Sequence, residues 1–148
     1  AAALEALSVL ASGSRVSSVP NAPNRLRAAR TCYDHIAGIL GVTLHDRLKA
    51  LGWLSDVSAR GNAYLVTSNG AKALESMGID VEEIRKQRRR FACACVDWSE
   101  RRPHVGGAVG AALLTVALKR KWVIQDLDSR ALTVTKVGRR EMLARFGF

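Results

Sequence analysis

An α+β fold, mostly helical and built from two tandem copies of one unit, is what this sequence predicts, and three observations carry the expectation. Apolar residues recur at helical spacing in several segments, short apolar runs flank a glycine-containing tip, and a string beginning at His35 is answered by one beginning at His104.

The elements follow in order. Ala1 to Ala11 places Leu4, Leu7, Leu10 and Ala11 on one helical stripe, and Ser12 to Asn24, with Gly13, Pro20, Pro23 and several serines, reads as a flexible linker. From Leu26 to Leu40 the apolar residues Leu26, Ala29, Tyr33, Ile36, Ala37 and Leu40 fall at helical spacing, with Gly41 as the stop. A second helix, Thr43 to Leu51, buries Leu44, Leu48 and Leu51. Gly52 to Val57 and Ala63 to Thr67 then flank Ala59-Arg60-Gly61-Asn62, the pattern of a β-hairpin with a basic tip. A closing helix starts at Thr67 or Ser68, turns Ala71, Leu74 and Met77 inward, and ends at Gly78. Helix, helix, hairpin, helix is the order of a winged unit.

The same unit recurs downstream. His35-Ile36-Ala37-Gly38-Ile39-Leu40-Gly41 is answered by His104-Val105-Gly106-Gly107-Ala108-Val109-Gly110, and the same shift matches Leu44 to Leu113 and Trp53 to Trp122. With one deletion in the hairpin, Leu65 to Gly70 corresponds to Thr133 to Gly138, and Met77-Gly78-Ile79 to Phe146-Gly147-Phe148. Between the copies, Asp80-x-x-Glu83 is a capping-box pattern opening a helix to about Arg88, whose tail, Arg85-Lys86-Gln87-Arg88-Arg89-Arg90, is the densest charge run in the chain. The expected organisation is a connecting-helix remnant and linker (1–24), a winged-helix-like repeat (25–79), a basic linker helix (80–90) and a second, equally degenerate repeat (91–148).

Composition narrows the function. Twenty-three Lys and Arg against thirteen Asp and Glu give a net charge of +10, which favours a polyanionic partner such as DNA. Arg60, Arg85, Lys86, Arg88, Arg89 and Arg90 are the candidates for phosphate contacts. No apolar run approaches the ~20 residues of a membrane span, and the N-terminus has no signal-peptide pattern, so a cytoplasmic protein is expected. Three cysteines, two of them only two residues apart, argue against a disulfide framework and for free or liganding thiols.

Cys32 and His35, three apart on an expected helix, share a face; Cys93 and Cys95, two apart in an expected strand, share another. With Asp97 and His104 they make a candidate effector set of Cys32, His35, Cys95, Asp97 and His104, whose soft and borderline donors suit a thiophilic metal such as zinc. Buried core cysteines with hydrogen-bonded histidines, and a redox thiol pair, explain the same residues. Enzyme chemistry is not expected. There is no phosphate-binding glycine loop followed by Lys-Ser/Thr, and nothing supplies an oxyanion hole for a Cys/His pair.

Arg30 to Gly38, Leu51-Gly52-Trp53-Leu54 and the string Cys95-Val96-Asp97-Trp98-Ser99-Glu100-Arg101-Arg102-Pro103-His104-Val105-Gly106-Gly107 resemble the C-terminal extension of a subgroup of arsenic-repressor-type (ArsR) transcriptional regulators. The resemblance implies an N-terminal winged helix-turn-helix that reads operator DNA, a dimerisation helix whose end would match Ala1 to Ala11, and this extension. On this resemblance the DNA reader is expected to lie outside these 148 residues, and a homodimer is implied. Neither repeat keeps a good reading helix. The first offers His45, Asp46, Arg47 and Lys49, and the second is apolar from Ala111 to Leu118, so effector sensing or dimerisation is the expected role.

Overall fold

The computed structural model describes residues 22–57 and 61–148. The first elements are α1 (Ala22–Ala28), β1 (Arg30–Cys32), β2 (His35–Ala37), α2 (Gly38–Ala50), β3 (Leu54–Asp56), β4 (Tyr64–Val66), α3 (Ser68–Ser76) and α4 (Val81–Arg85). After them come β5 (Cys93–Val96), β6 (Pro103–Gly106), α5 (Gly107–Lys119), β7 (Val123–Gln125), β8 (Leu132–Val134) and α6 (Lys136–Phe146). The fold is mixed α+β with more residues in helices than in strands, and its named strands pair antiparallel in twos. The order strand, strand, helix, strand, strand, helix runs from β1 to α3 and again from β5 to α6.

The expected helix from Leu26 to Leu40 is instead three elements. Arg30, Thr31 and Cys32 pair with Ala37, Ile36 and His35, and α2 then runs unbroken from Gly38 through Gly41 to Ala50. Strands of three residues are too short to show an alternating pattern, and their turn, Tyr33-Asp34, carries no glycine signal although Tyr33 adopts a positive φ of 60°, the region that favours glycine. Gly41 is not a stop. A Cβ there would lie 2.4 Å from the Ile36 carbonyl oxygen, so glycine lets α2 rest directly on the end of β2. Two boundaries also shift: helix α1 begins inside the expected linker, at Ala22, and α4 ends at Arg85 rather than Arg88. The helix expected over Ala1 to Ala11 and the hairpin-tip residue Arg60 lie outside the described residues.

Caps hold the closing helices in the same way. The Thr67 hydroxyl accepts from Gly70 N at 3.0 Å and donates to Gly52 O at 2.6 Å; the Thr135 hydroxyl accepts from Gly138 N at 2.9 Å and donates to Lys121 O at 2.6 Å. A threonine cap of this kind stabilises by ~1 kcal/mol and here also ties each helix to the chain entering its hairpin. Asp80 caps α4 by accepting from Glu83 N at 3.0 Å.

One apolar core serves the whole described chain. Leu44 and Leu48 of α2, Val109 and Leu113 of α5, and Leu74, Met142 and Phe146 of the closing helices belong to it. Phe146 meets Trp53 edge-on at 5.8 Å and Trp122 at 6.4 Å, so a side chain near the C-terminus locks both hairpin entries. The backbone interlocks as well. Thr31 N donates to Arg130 O and Leu132 N to Ala29 O, while Tyr64 N donates to Ala92 O and Ala94 N to Asn62 O. Strand β1 is therefore extended by the β7–β8 hairpin, and β5 by the β3–β4 hairpin.

Candidate metal and effector site

The interlocked halves bring the β1–β2 and β5–β6 hairpins face to face. Cys32 is the cross-strand partner of His35, and Cys95 is the cross-strand partner of His104. Directly opposed residues on paired strands point to the same face, so each hairpin presents one thiol and one imidazole together. The helical face expected for Cys32 and His35 is corrected to this strand pair. The ligating atoms of Cys32, His35, Cys95 and His104 all lie within 4.8 Å of one another. The two imidazole rings sit 4.9 Å apart, centroid to centroid, at 45°.

Two glycines make room for that approach. A Cβ on Gly41 of α2 would come within 3.3 Å of the His104 Cβ, and a Cβ on Gly110 of α5 within 3.0 Å of the His35 Cβ. Each helix is bare where the other hairpin's histidine packs.

Both histidines are buried and oriented from behind. His104 Nδ1 is 3.0 Å from Asp97 Oδ2, and His35 Nδ1 is 3.3 Å from Asp34 Oδ1, while Nε2 of each ring is buried with no hydrogen-bond partner. A carboxylate behind Nδ1 favours the tautomer that leaves Nε2 with its lone pair. Burial lowers the His104 pKa, with the proximity of His35 adding to it, and the Asp97 contact opposes the shift without cancelling it.

Asp97 is not among the gathered donor atoms; it is the hub behind them. Its Oδ2 accepts from Gly38 N at 2.6 Å as well as facing His104, and its Oδ1 accepts from Arg30 Nη2 at 2.9 Å, Ser99 N at 3.0 Å, Ser99 Oγ at 2.8 Å and Glu100 N at 3.2 Å. Burial alone would raise its pKa, but the bonds from Gly38, Ser99, Arg30 and Glu100 outweigh that and hold the carboxyl well below the usual range. Arg30, fully buried, also donates to Leu26 O and lies 4.3 Å from the Trp98 ring centroid.

The Cys95 thiol is pushed up to about 11, by burial first and then by Cys32 beside it. Such a thiol is a poor nucleophile at neutral pH, the opposite of an activated redox cysteine. Cys93 shares the strand but lies outside the four-residue cluster.

The basic residues are placed differently. Arg89 pairs with Asp34 at 2.7 Å, Arg90 donates to Asn62 Oδ1 at 2.5 Å, and Arg85 stacks on Phe91 with Glu82 at 3.6 Å. Lys86 is 3.9 Å from Glu83, and Arg88 is exposed. Much of the run is thus anchored to the protein. Away from the cluster, an apolar groove of about 700 Å³ is lined by Ile39, Leu40, Leu132, Met142 and Phe148 together with Arg139. No sequence signal marked it, because its walls come from segments about ninety residues apart.

Sequence reasoning missed Asp34 and Arg30 as site residues. Asp34 was legible only as the neighbour of His35, and a buried arginine carries no pattern of its own.

Comparison with known proteins adds one relative. Over 138 residues the chain is 38% identical to a Bacillus subtilis (strain 168) protein named "Uncharacterized HTH-type transcriptional regulator YdfF". The match takes in 92% of this chain and 60% of the relative, so the chain spans less than two thirds of that protein's length. No family model matches the chain, and no solved structure matches it. No helix among the described residues is long and apolar enough to cross a membrane.

Proposed function

We propose that this chain is the C-terminal regulatory part of a DNA-binding transcriptional regulator of the arsenic-repressor type, working as a cytoplasmic homodimer, with no catalytic role of its own. The observation that carries the reading is the 138-residue similarity to a relative named as an HTH-type transcriptional regulator. In this reading 25–79 and 91–148 are degenerate winged-helix-like repeats joined by 80–90, and they serve effector sensing or dimerisation. The doubled element order and the matching threonine caps support that division. Among the described residues neither α2 nor α5 stands free as a base reader, because each leads directly into a hairpin and α5 is buried over much of its length.

The effector site is the cluster of Cys32, His35, Cys95 and His104, with Asp97 as its support. It lies where the two halves meet, so a ligand favouring one relative arrangement shifts the population by its differential affinity. Fluorescence anisotropy with duplex DNA tests the assignment. The longer regulator binds its operator sequence-specifically, whereas this chain binds weakly, without sequence preference and with steep salt dependence. Sequence-specific binding by this chain at physiological salt would show that its own repeats read DNA.

One observation favours a second reading, a stand-alone metal- or small-molecule-sensing module without DNA contact. Arg85, Lys86, Arg89 and Arg90 are already engaged with Glu82, Glu83, Asp34 and Asn62, which reduces the charge left for phosphates. Among the described residues of the phosphate-contact candidates, Arg88 is exposed and has no such partner, and Arg60 lies outside the described residues.

A further inference from the structure

We propose that Cys32, His35, Cys95 and His104 form a closed, tetrahedral two-sulfur, two-nitrogen site for a thiophilic divalent cation of the zinc type, which staples the two halves together across their facing hairpins. The inference deepens the regulatory reading by naming the ligand of its effector site and how it is held.

Geometry comes first. A zinc ion bound at ~2.3 Å to sulfur and ~2.0–2.1 Å to nitrogen places its ligand atoms roughly 3.3–3.8 Å apart. The four donor atoms lie within 4.8 Å of one another, so closing on a cation needs shifts of at most roughly 0.5–0.75 Å per side chain. The donors arrive as two matched pairs, Cys32 with His35 and Cys95 with His104, each pair fixed by a strand register rather than by a mobile loop.

Unmet bonding capacity comes second. Both Nε2 atoms are buried and lack a hydrogen-bond partner, which costs free energy in a core that pairs its polar atoms. A cation satisfies both at once. Asp34 and Asp97 sit behind the two Nδ1 atoms, which is how metal-ligating imidazoles are held. A buried histidine pair needing no ligand would be expected to spend its Nε2 atoms on neighbours, as His45 does with Tyr64 Oη at 2.6 Å.

Charge comes third. Binding converts two thiols and one divalent cation into a bis-thiolate complex and releases two protons to solvent, with both imidazoles neutral. The complex carries no net charge, the form a buried site can hold without a further counter-ion. The donor set also selects the cation. Sulfur and imidazole nitrogen exclude calcium and magnesium, which take oxygen ligands, and Asp97 cannot step in because both its oxygens are committed. Four protein donors leave no open position for a substrate, which suits a staple or sensor rather than a catalytic ion.

The test is cobalt titration of the reduced, chelator-stripped 148-residue chain in the absence of oxygen, followed by zinc. One cobalt per chain is expected, with thiolate-to-cobalt charge transfer and the intense visible bands of tetrahedral cobalt, both abolished by one equivalent of zinc. Cys32→Ser and Cys95→Ser each weaken binding at least ten-fold, and Cys93→Ser leaves it unchanged. Asp34→Asn keeps all four ligands and still weakens binding roughly ten- to hundred-fold, so the proposal stays testable where a cysteine variant fails to fold. Absence of a tetrahedral spectrum, or binding unaffected in folded Cys32→Ser or Cys95→Ser, would overturn it. The outcome is separable from the regulatory reading. Metal uptake that leaves operator binding by the longer regulator unchanged counts against sensing and leaves the site standing, whereas no uptake in a regulator that still binds its operator removes the site alone.

Discussion

Replacing Asp97 by Asn changes one atom in the most connected side chain of the described structure. Its Oδ2 faces Gly38 N and His104 Nδ1, and its Oδ1 faces Arg30, both donors of Ser99 and Glu100 N. Whichever oxygen becomes an amide group, at least one backbone donor then faces another donor. The carboxylate charge opposite Arg30, a residue with no exposed surface, is lost in either orientation. Each charge-assisted bond is worth ~1.5–3 kcal/mol, and removing one partner of a buried ion pair costs ~3–5 kcal/mol because the other charge stays buried. We expect Asp97→Asn to destabilise the chain by about 3–5 kcal/mol and to lower the thermal midpoint by on the order of 10–20 °C. Urea unfolding of the metal-loaded protein followed by tryptophan fluorescence measures it. A loss below ~1 kcal/mol, the value of an exposed ion pair, would refute the hub.

Two further outcomes follow from the geometry. Gly110→Ala should cost ~1–3 kcal/mol and weaken metal binding, because its Cβ would lie 2.3 Å from Val105 O and 3.0 Å from the His35 Cβ, forcing α5 off β6; an unchanged unfolding midpoint and unchanged affinity would contradict the close approach. Burial holds the His45 pKa below its ordinary value of ~6.5, Asp46 opposing and Lys49 and Arg102 reinforcing the shift, with Tyr64 on its Nε2. The unfolded chain therefore takes up a proton that the folded chain resists, so this contribution is whole above pH ~6.5 and falls as pH drops below that value. The stability advantage of the wild-type chain over His45→Gln should shrink from pH 7.5 to pH 5 in equilibrium unfolding, and an advantage that grows would reverse the sign.

Legibility in the sequence followed the length of each signal. The 54–66 hairpin, the Thr67 and Asp80 caps and the alternation at Cys93 and Cys95 were readable because each rests on contacts a few residues apart. The β1–β2 hairpin was not. Arg30 to Ala37 offers three residues per strand and a Tyr-Asp turn, and its apolar residues fall by coincidence on the helical spacing that Leu26 and Leu40 extend. That error placed Cys32 and His35 on a helix, and yet it kept them together, since residues three apart on a helix and residues flanking a two-residue turn are both neighbours. Arg30 and the glycines opposite the histidines stayed hidden because their roles in the site exist only once the two hairpins face each other, and Asp34 showed only as the neighbour of His35.

X-ray absorption at the zinc edge of the zinc-loaded chain reads the coordination shell of the Cys32, His35, Cys95 and His104 cluster itself. A four-coordinate ion with two sulfurs at ~2.3 Å and two imidazole nitrogens at ~2.0–2.1 Å is expected. A first shell of oxygen and nitrogen alone, or one in which sulfur persists when both Cys32 and Cys95 are serine, would contradict it.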